Sequence, residues 1–166
     1  GQTDSRQAGL DPVMGLFTCG QWFGGDVSVL FNMRTGLWRQ RVYRKLIVAP
    51  SGMRERFIQL IEREAAHALA GRPARIIGKM NALVDAETIE ALYAASQAGV
   101  DIDLIVRGIC CLRPQVEGLS DRIRVLSVVG RFLEHSRLGY FANDGAPNFY
   151  LGAADWMQRN FARRVE

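Results

Sequence analysis

The chain has 166 residues, of which 48% are hydrophobic and 23% are charged, and its formal net charge is +4. This composition can bury a sizeable core in one domain, which excludes an intrinsically disordered chain. No apolar run is long enough to cross a bilayer and the first residues do not form a signal peptide, so we expect a cytoplasmic protein without a transmembrane segment.

The cysteines and histidines form neither a disulfide framework nor a metal site. There are three cysteines, Cys19, Cys110 and Cys111, and two of them are adjacent. The only histidines are His67 and His135, and no pair of residues has the spacing of zinc ligands. We therefore expect reduced thiols and no metal ligands in this chain.

Arginine dominates the basic residues, because only Lys45 and Lys79 of the 21 are lysine. The planar guanidinium binds phosphate with two donors, which suits a protein that handles phosphate. A GC-rich genome produces the same bias, and composition does not separate the two explanations.

The first elements are weakly patterned. Residues 1–14 are polar and aperiodic, as in a leader or a disordered end. Apolar residues at helical spacing in 26–32 predict a short helix, which ends before Thr35-Gly36. The apolar run 44–49, ended by Pro50, predicts a buried strand.

Strands and helices alternate in the middle of the chain. Apolar positions recurring at three and four predict a helix over 52–70, and 75–83 reads as a strand. Asp85 is suited to cap a second helix, which Gly99 closes, and 102–106 is another strand. This alternation predicts right-handed crossovers and a parallel sheet.

The pattern changes after residue 114. Short strands are predicted over 123–129, 138–141 and 149–151, and Asn143-Asp144-Gly145 is a strong hairpin turn between the last two. The fold class is therefore α/β: a mixed sheet with flanking helices, mainly parallel in its first half and with an antiparallel hairpin at its C-terminal end.

Arg107 is the first candidate for ligand binding. It follows the strand over 102–106 directly and precedes Gly108. Ligands of open α/β sheets bind beyond the carboxyl ends of strands, where a glycine allows close approach of a phosphate. A solvated or ion-paired arginine at a strand end fits the same pattern.

His135 is the second candidate. Arg131 and Arg137 lie four and two residues from it, so in an extended segment all three share one face. Such a histidine suits a general acid or a phosphate ligand, although a structural histidine at a strand end is the alternative. His67 belongs to an amphipathic helix and is interpreted as structural.

The C-terminal segment predicts a helix with Asp155 at its N-cap. Arg159 and Arg163 are four residues apart and so lie on one helical face. That face could bind a ligand or could simply be solvated.

Read in order, these segments resemble the histidine-dependent type of polyphosphate kinase. The resemblance covers most of the chain from Gly15 onward. The motifs that carry it are Leu30-Phe31-Asn32 with Thr35-Gly36, residues 44–50, residues 79–85, residues 92–96, Val106-Arg107-Gly108, residues 129–137 and residues 154–160.

The resemblance implies a domain organisation. The family has two related C-terminal domains of phospholipase-D-like α/β type. By this resemblance residues 15–42 are the end of the first, and residues 43–166 are the second, cut before its final helices.

The resemblance also implies an activity and its residues. The family transfers the terminal phosphate of ATP to a histidine and then, reversibly, to inorganic polyphosphate. By resemblance Arg107 binds nucleotide phosphate, His135 acts as general acid and phosphate ligand, and Arg164 contacts phosphate. The partners implied are ATP, ADP and polyphosphate, and the family's oligomers imply a homo-oligomeric parent.

This sequence departs from the family pattern in two places. The family's phosphorylated histidine and the arginines tied to Mg²⁺ belong to a stretch preceding Gly1, so Mg²⁺ is expected for the parent with its ligands outside this chain. Where the family has a Tyr-Thr-Asp motif that contacts the nucleotide, this chain reads Asp11-Pro12-Val13. We therefore expect the isolated chain to be nearly inactive.

A different class of function is a non-catalytic module that binds polyphosphate or nucleic acid. The net charge of +4 permits such binding. The basic residues are dispersed among 17 acidic ones and no basic strip alternates with aromatic residues, which disfavours nucleic acid.

Overall fold

The computed structural model describes residues 21–34, 45–49, 52–128 and 135–163. The predictions for residues 1–14, Arg131 and Arg164 lie outside this part of the chain. Within it, no helix is both long and apolar enough to span a membrane.

Four helices and five strands follow one another along these residues. They are α1 (Gln21–Arg34), α2 (Met53–Leu69), β1 (Arg75–Met80), α3 (Ala86–Gln97), β2 (Asp101–Val106), β3 (Ile123–Leu126), β4 (Arg137–Phe141), β5 (Asn148–Gly152) and α4 (Gln158–Arg163). A single turn of 3-10 helix, Asn143–Gly145, joins β4 to β5.

The strands form one mixed sheet in the order β3-β2-β1-β4-β5. β1 pairs in parallel with β2, and β2 with β3. β4 runs antiparallel to both β1 and β5. The predicted α/β class, with a parallel first half and a C-terminal antiparallel hairpin, is confirmed.

Left-handed backbone produces the turn of that hairpin. Asn143, Asp144 and Gly145 have φ angles of 46°, 52° and 85°. The backbone N–H of Asn143 donates to the fully buried carboxylate of Glu64 in α2, at 2.9 Å. Two effects therefore stabilise the turn: the hydrogen bond to α2, and the local preference of Asn, Asp and Gly for this conformation.

The core lies between the sheet and helices α2 and α3. Alternate residues of β1 and β2 are buried, as expected for strands with one covered face. The helices contribute Leu60, Ile61 and Leu92, all almost fully buried. As predicted, the Asp85 side chain caps α3 by accepting from the backbone N–H of Thr88 at 3.1 Å.

The predicted strand over 44–49 is wrong for the residues described. Residues 45–49 lie in no strand, although Val48 and Ala49 are buried. The backbone N–H groups of Lys45 and Leu46 donate to the Asp26 carboxylate at 2.6 and 3.1 Å. A side chain of α1 thus accepts hydrogen bonds that a neighbouring strand would otherwise accept.

Two other strands are shorter than predicted. β1 ends at Met80 rather than at residue 83, and β3 ends at Leu126. Beyond Met80 the chain leaves the sheet, and Leu83 makes isolated parallel bridges to Cys110 and Trp156. The apolar pattern continues beyond the strand because Leu83 is fully buried in the same core as Met80.

Candidate functional site

Several strand ends meet at one edge of the sheet. The carboxyl ends of β1, β2, β3 and β5 lie there together with the amino end of β4, because β4 alone runs in the opposite direction. This edge therefore carries Arg107 after β2, Asn81 after β1, and His135 just before β4. The topology brings together two of the predicted site residues, Arg107 and His135.

The two predicted residues are close but not adjacent. β1 lies between β2 and β4, so a strand spacing of about 4.8 Å puts the backbones of these two strands about 10 Å apart.

Arg107 is exposed, and none of the described residues pairs with its guanidinium. Its backbone is held, since its N–H donates to the Met80 carbonyl at 3.2 Å and its own carbonyl accepts from the Ser127 hydroxyl at 3.4 Å. A guanidinium that pairs with none of the described residues, on an anchored backbone, is suited to bind an anion.

Gly108 serves the packing of this edge. Its backbone N–H donates to the Asn81 carbonyl at 2.8 Å, and a Cβ at this position would lie 3.0 Å from that oxygen. The close approach that the sequence suggested for a phosphate is thus made by a protein carbonyl. Beside it, the Asn81 side-chain oxygen is buried and has no hydrogen-bond partner among the described residues.

A buried ion pair organises the other half of the edge. Arg137 donates from Nε and Nη2 to the two carboxylate oxygens of Asp155, at 3.2 and 3.1 Å. Both side chains are only 10% exposed. The same carboxylate accepts from the backbone N–H groups of Asn81 and Ala82, at 2.7 and 3.3 Å.

The predicted N-cap role of Asp155 is therefore wrong. Helix α4 begins at Gln158, and the Asp155 carboxylate is occupied by Arg137 and by the end of β1. These partners are 18 and 74 residues away in sequence. No local sequence pattern indicates such a distant contact. The sequence therefore points to Asp155 but not to its ion pair with Arg137.

His135 is exposed and touches Arg137. The Nη1 atom of Arg137 lies 2.6 Å from the ring Nδ1 of His135 and 2.6 Å from its backbone oxygen. Because a guanidinium only donates, Nδ1 accepts, and the ring proton of the neutral histidine is on Nε2. The predicted neighbourhood of His135 and Arg137 is thus observed, with Nε2 left to donate to a ligand.

A second basic contact supports the same turn. The Lys79 ammonium donates to the Ser136 hydroxyl at 2.7 Å. Lys79, Arg137 and Lys45 also line a cavity of 460 Å³ beside β4 and β5, whose other walls are mainly apolar. Two lysines and the ion-paired Arg137 therefore lie around this cavity.

A carboxylate on the open face of the sheet pairs with two arginines. The Asp103 side chain in β2 accepts from Arg75 at 2.6 Å and lies 2.7 Å from Arg124. Burial acts to raise the pKa of Asp103, but the hydrogen bonds and charges of the two arginines outweigh it and hold the pKa below its usual value of 3.8. The hydrogen bond to Asp103 also raises the pKa of Arg75.

His67 and Cys110 add no charged group to this edge. His67 Nε2 is 3.4 Å from the Asn143 side-chain oxygen, in keeping with a structural role. Burial raises the pKa of the Cys110 thiol, which keeps it protonated and unreactive. Within the described ranges, no group of three or more His, Cys, Asp and Glu side chains could hold a metal ion.

Taken together, these features define an α/β domain that brings arginine, lysine and histidine side chains together at one edge of its sheet. The family model described as polyphosphate kinase C-terminal domain 2 matches residues 46–166. The chain belongs to the polyphosphate kinase family.

Individual relatives agree with the family model. The polyphosphate kinase of Thermosynechococcus vestitus is 61% identical over 166 residues, and that of Synechocystis is 58% identical over the same length. Each match covers 100% of this chain and 23% of the relative. The chain thus spans about a quarter of the length of these curated relatives.

A solved structure has the same fold. The crystal structure of polyphosphate kinase from Porphyromonas gingivalis superposes with a TM-score of 0.85 at 42% sequence identity. The match covers 89% of this chain and 23% of that one.

Proposed function

We propose that this chain is the C-terminal catalytic portion of a polyphosphate kinase whose parent transfers the terminal phosphate of ATP reversibly to inorganic polyphosphate. The observation that carries the proposal is the edge shared by His135 and Arg107, whose guanidinium pairs with no residue in the part of the chain that the structure describes. Membership of the family, and relatives named polyphosphate kinase, support it.

Arg107 has the role of a phosphate clamp. Phosphoryl transfer depends mainly on positioning and on cations around the transferring group. An exposed arginine whose backbone is held by β1 and by Ser127 supplies a cation at a fixed point of this edge, and its side chain becomes ordered when phosphate binds. It binds nucleotide phosphate in the ground state and in the transition state alike.

His135 has the role of general acid. In this step the ring starts with a proton on each nitrogen, and Nε2 gives its proton to a phosphate oxygen as the bond to the transferring group breaks, which leaves a neutral ring. Lys79, which donates to Ser136 in the same turn, adds a positive charge near the phosphate.

Other parts of the reaction depend on groups beyond this edge. We propose that Arg164 adds a phosphate contact and that residues 15–42 end the preceding domain. The nucleophilic histidine and the residues that hold Mg²⁺ are assigned to the parent outside this chain, and Mg²⁺ supplies charge neutralisation of the phosphates when bound. The isolated chain is then inactive, and the parent is a cytoplasmic homo-oligomer that uses ATP, ADP and polyphosphate.

The test compares Arg107→Ala and His135→Ala in the full-length kinase. Arg107→Ala weakens nucleotide binding and slows turnover, because its contact is made throughout the reaction. His135→Ala lowers kcat by about 10²–10⁴-fold with little change in KM for ATP, and it removes one limb of the pH–rate profile.

Arg122→Ala is the matched control. Arg122 is an exposed arginine that pairs with Asp101 at the opposite edge of the sheet, so its loss leaves kcat and KM unchanged. If Arg107→Ala and His135→Ala change only the unfolding temperature and leave turnover per folded molecule intact, both residues are structural and the proposal is wrong.

A further inference from the structure

We infer that Asp155 is a positioning residue for His135 and acts on it through Arg137. The inference rests on the proposed function, in which His135 is the general acid. Three observations carry it: a two-point ion pair, its burial, and a remaining arginine nitrogen that contacts the histidine.

The ion pair determines how the guanidinium is oriented. Arg137 uses Nε and Nη2 on the two oxygens of Asp155, at 3.2 and 3.1 Å. The guanidinium is planar and rigid, so two parallel hydrogen bonds fix the direction of its third nitrogen. That nitrogen, Nη1, lies 2.6 Å from the backbone oxygen of His135, to which it donates, and 2.6 Å from the ring Nδ1 atom.

Asp155 is itself held by the sheet. Its Oδ1 atom accepts from the backbone N–H groups of Asn81 and Ala82, which follow β1 directly. The carboxylate therefore ties the turn before β4 to the end of β1, next to the backbone that carries Arg107. The position of His135 relative to the rest of the edge depends on this link.

Burial makes the link stiff. Both side chains of the pair are 10% exposed, so water and salt compete poorly for either group. By contrast His135 is exposed and has Arg137 as its only side-chain partner among the described residues. Removing the carboxylate frees the guanidinium to rotate, and His135 then loses the contact that directs its ring.

The chemical consequence concerns where the His135 ring lies. To give up a proton from Nε2 the ring must carry a proton on each nitrogen, and Nδ1 then no longer accepts from Nη1. The other hydrogen bond of Nη1, to the backbone oxygen of His135 at 2.6 Å, forms in either protonation state and holds the residue in place. Without Asp155 this bond loses its fixed direction, and catalysis by His135 is impaired even though the histidine is present.

The test is a double-mutant cycle in the full-length kinase with Asp155→Asn and His135→Ala. Asp155→Asn alone is expected to lower kcat by about 10- to 100-fold while KM for ATP changes by less than about threefold. In the His135→Ala background the same substitution is expected to change kcat by less than about threefold, because its effect runs through the missing histidine.

A second variant and a control accompany the cycle. Arg137→Lys keeps a cation beside Asp155 but lacks the planar fork that bonds the carboxylate and His135 at the same time. It is therefore expected to lower kcat as Asp155→Asn does. This variant tests the inference if Asp155→Asn does not fold. Asp103→Asn removes another carboxylate that pairs with two arginines, away from His135, and is expected to leave kcat within about twofold.

The outcomes separate this inference from the proposed function. Independent, additive losses of kcat from Asp155→Asn and His135→Ala overturn the positioning role and leave the general acid intact. A kcat unchanged in folded Asp155→Asn and Arg137→Lys overturns it as well. An unchanged kcat in His135→Ala overturns the proposed role of His135 and, with it, this inference.

Discussion

Gly78 of β1 and Gly139 of β4 are cross-strand partners with very different surroundings. A Cβ at Gly78 would lie 2.8 Å from Met80 Cε and 3.1 Å from Leu104 Cδ2, whereas at Gly139 the nearest atom would be Phe141 Cε2 at 3.6 Å. The core is thus tightly packed over β1 and has ordinary van der Waals spacing one strand away.

This difference predicts opposite responses to alanine. Gly78→Ala is expected to lower the free energy of unfolding by about 1–3 kcal/mol, because Met80 and Leu104 must move. Gly139→Ala, the matched control, is expected to be neutral or to raise it by up to about 1 kcal/mol, since alanine restricts the unfolded chain. Urea denaturation of both variants measures this, and equal losses would contradict the packing described.

The isolated chain is expected to bind inorganic polyphosphate with an affinity that falls as salt rises. Contacts from Arg107, Arg131 and Arg164 displace counterions from the polymer, so added salt competes with them. Titrations at increasing NaCl concentration test this, with Arg107→Ala expected to bind more weakly and Arg122→Ala as the control. Binding that ignores salt, or none at low salt, would speak against a phosphate site on this chain.

The isolated chain is expected to form no acid-labile phosphohistidine when incubated with γ-labelled ATP and Mg²⁺. In the proposed function the nucleophilic histidine lies outside the chain, and His135 donates a proton without forming a covalent bond. The full-length kinase, labelled in parallel, is the positive control. Stable label on His135 would reverse its assignment from acid to nucleophile.

Asp103 is expected to make stability depend on pH. Its pKa is lower in the folded chain than the usual 3.8, so its ion pairs stabilise the fold above that value, and the stabilisation is lost as pH falls through the folded pKa. Asp103→Asn should therefore lower the unfolding temperature at pH 7, and its difference from the wild type should shrink below pH 4. A difference that stays constant with pH would exclude this linkage.

Local sequence patterns predicted most of the architecture. Apolar positions at three and four gave helix α2 within one residue at each end, and the Asp85 cap and the Asn143-Asp144-Gly145 turn appear where their local chemistry places them. These features depend on residues a few positions apart, which interact in nearly the same way in any fold. The family was recognisable for the same reason, since its motifs are short and contiguous.

Tertiary structure decided the rest. The apolar run at 45–49 has the composition of a strand, but the backbone N–H groups of Lys45 and Leu46 donate to the Asp26 carboxylate instead of to a neighbouring strand. Asp155 has the sequence context of a helix cap, but its carboxylate is taken by Arg137 and by the end of β1, 74 residues earlier. A buried carboxylate is stabilised by the hydrogen-bond donors around it. Only the folded chain determines which distant donors lie close enough to serve. The sequence by itself therefore determined most of the helices and strands and the candidate residues Arg107 and His135. The fold decided that these two residues share an edge and that a buried ion pair orients His135.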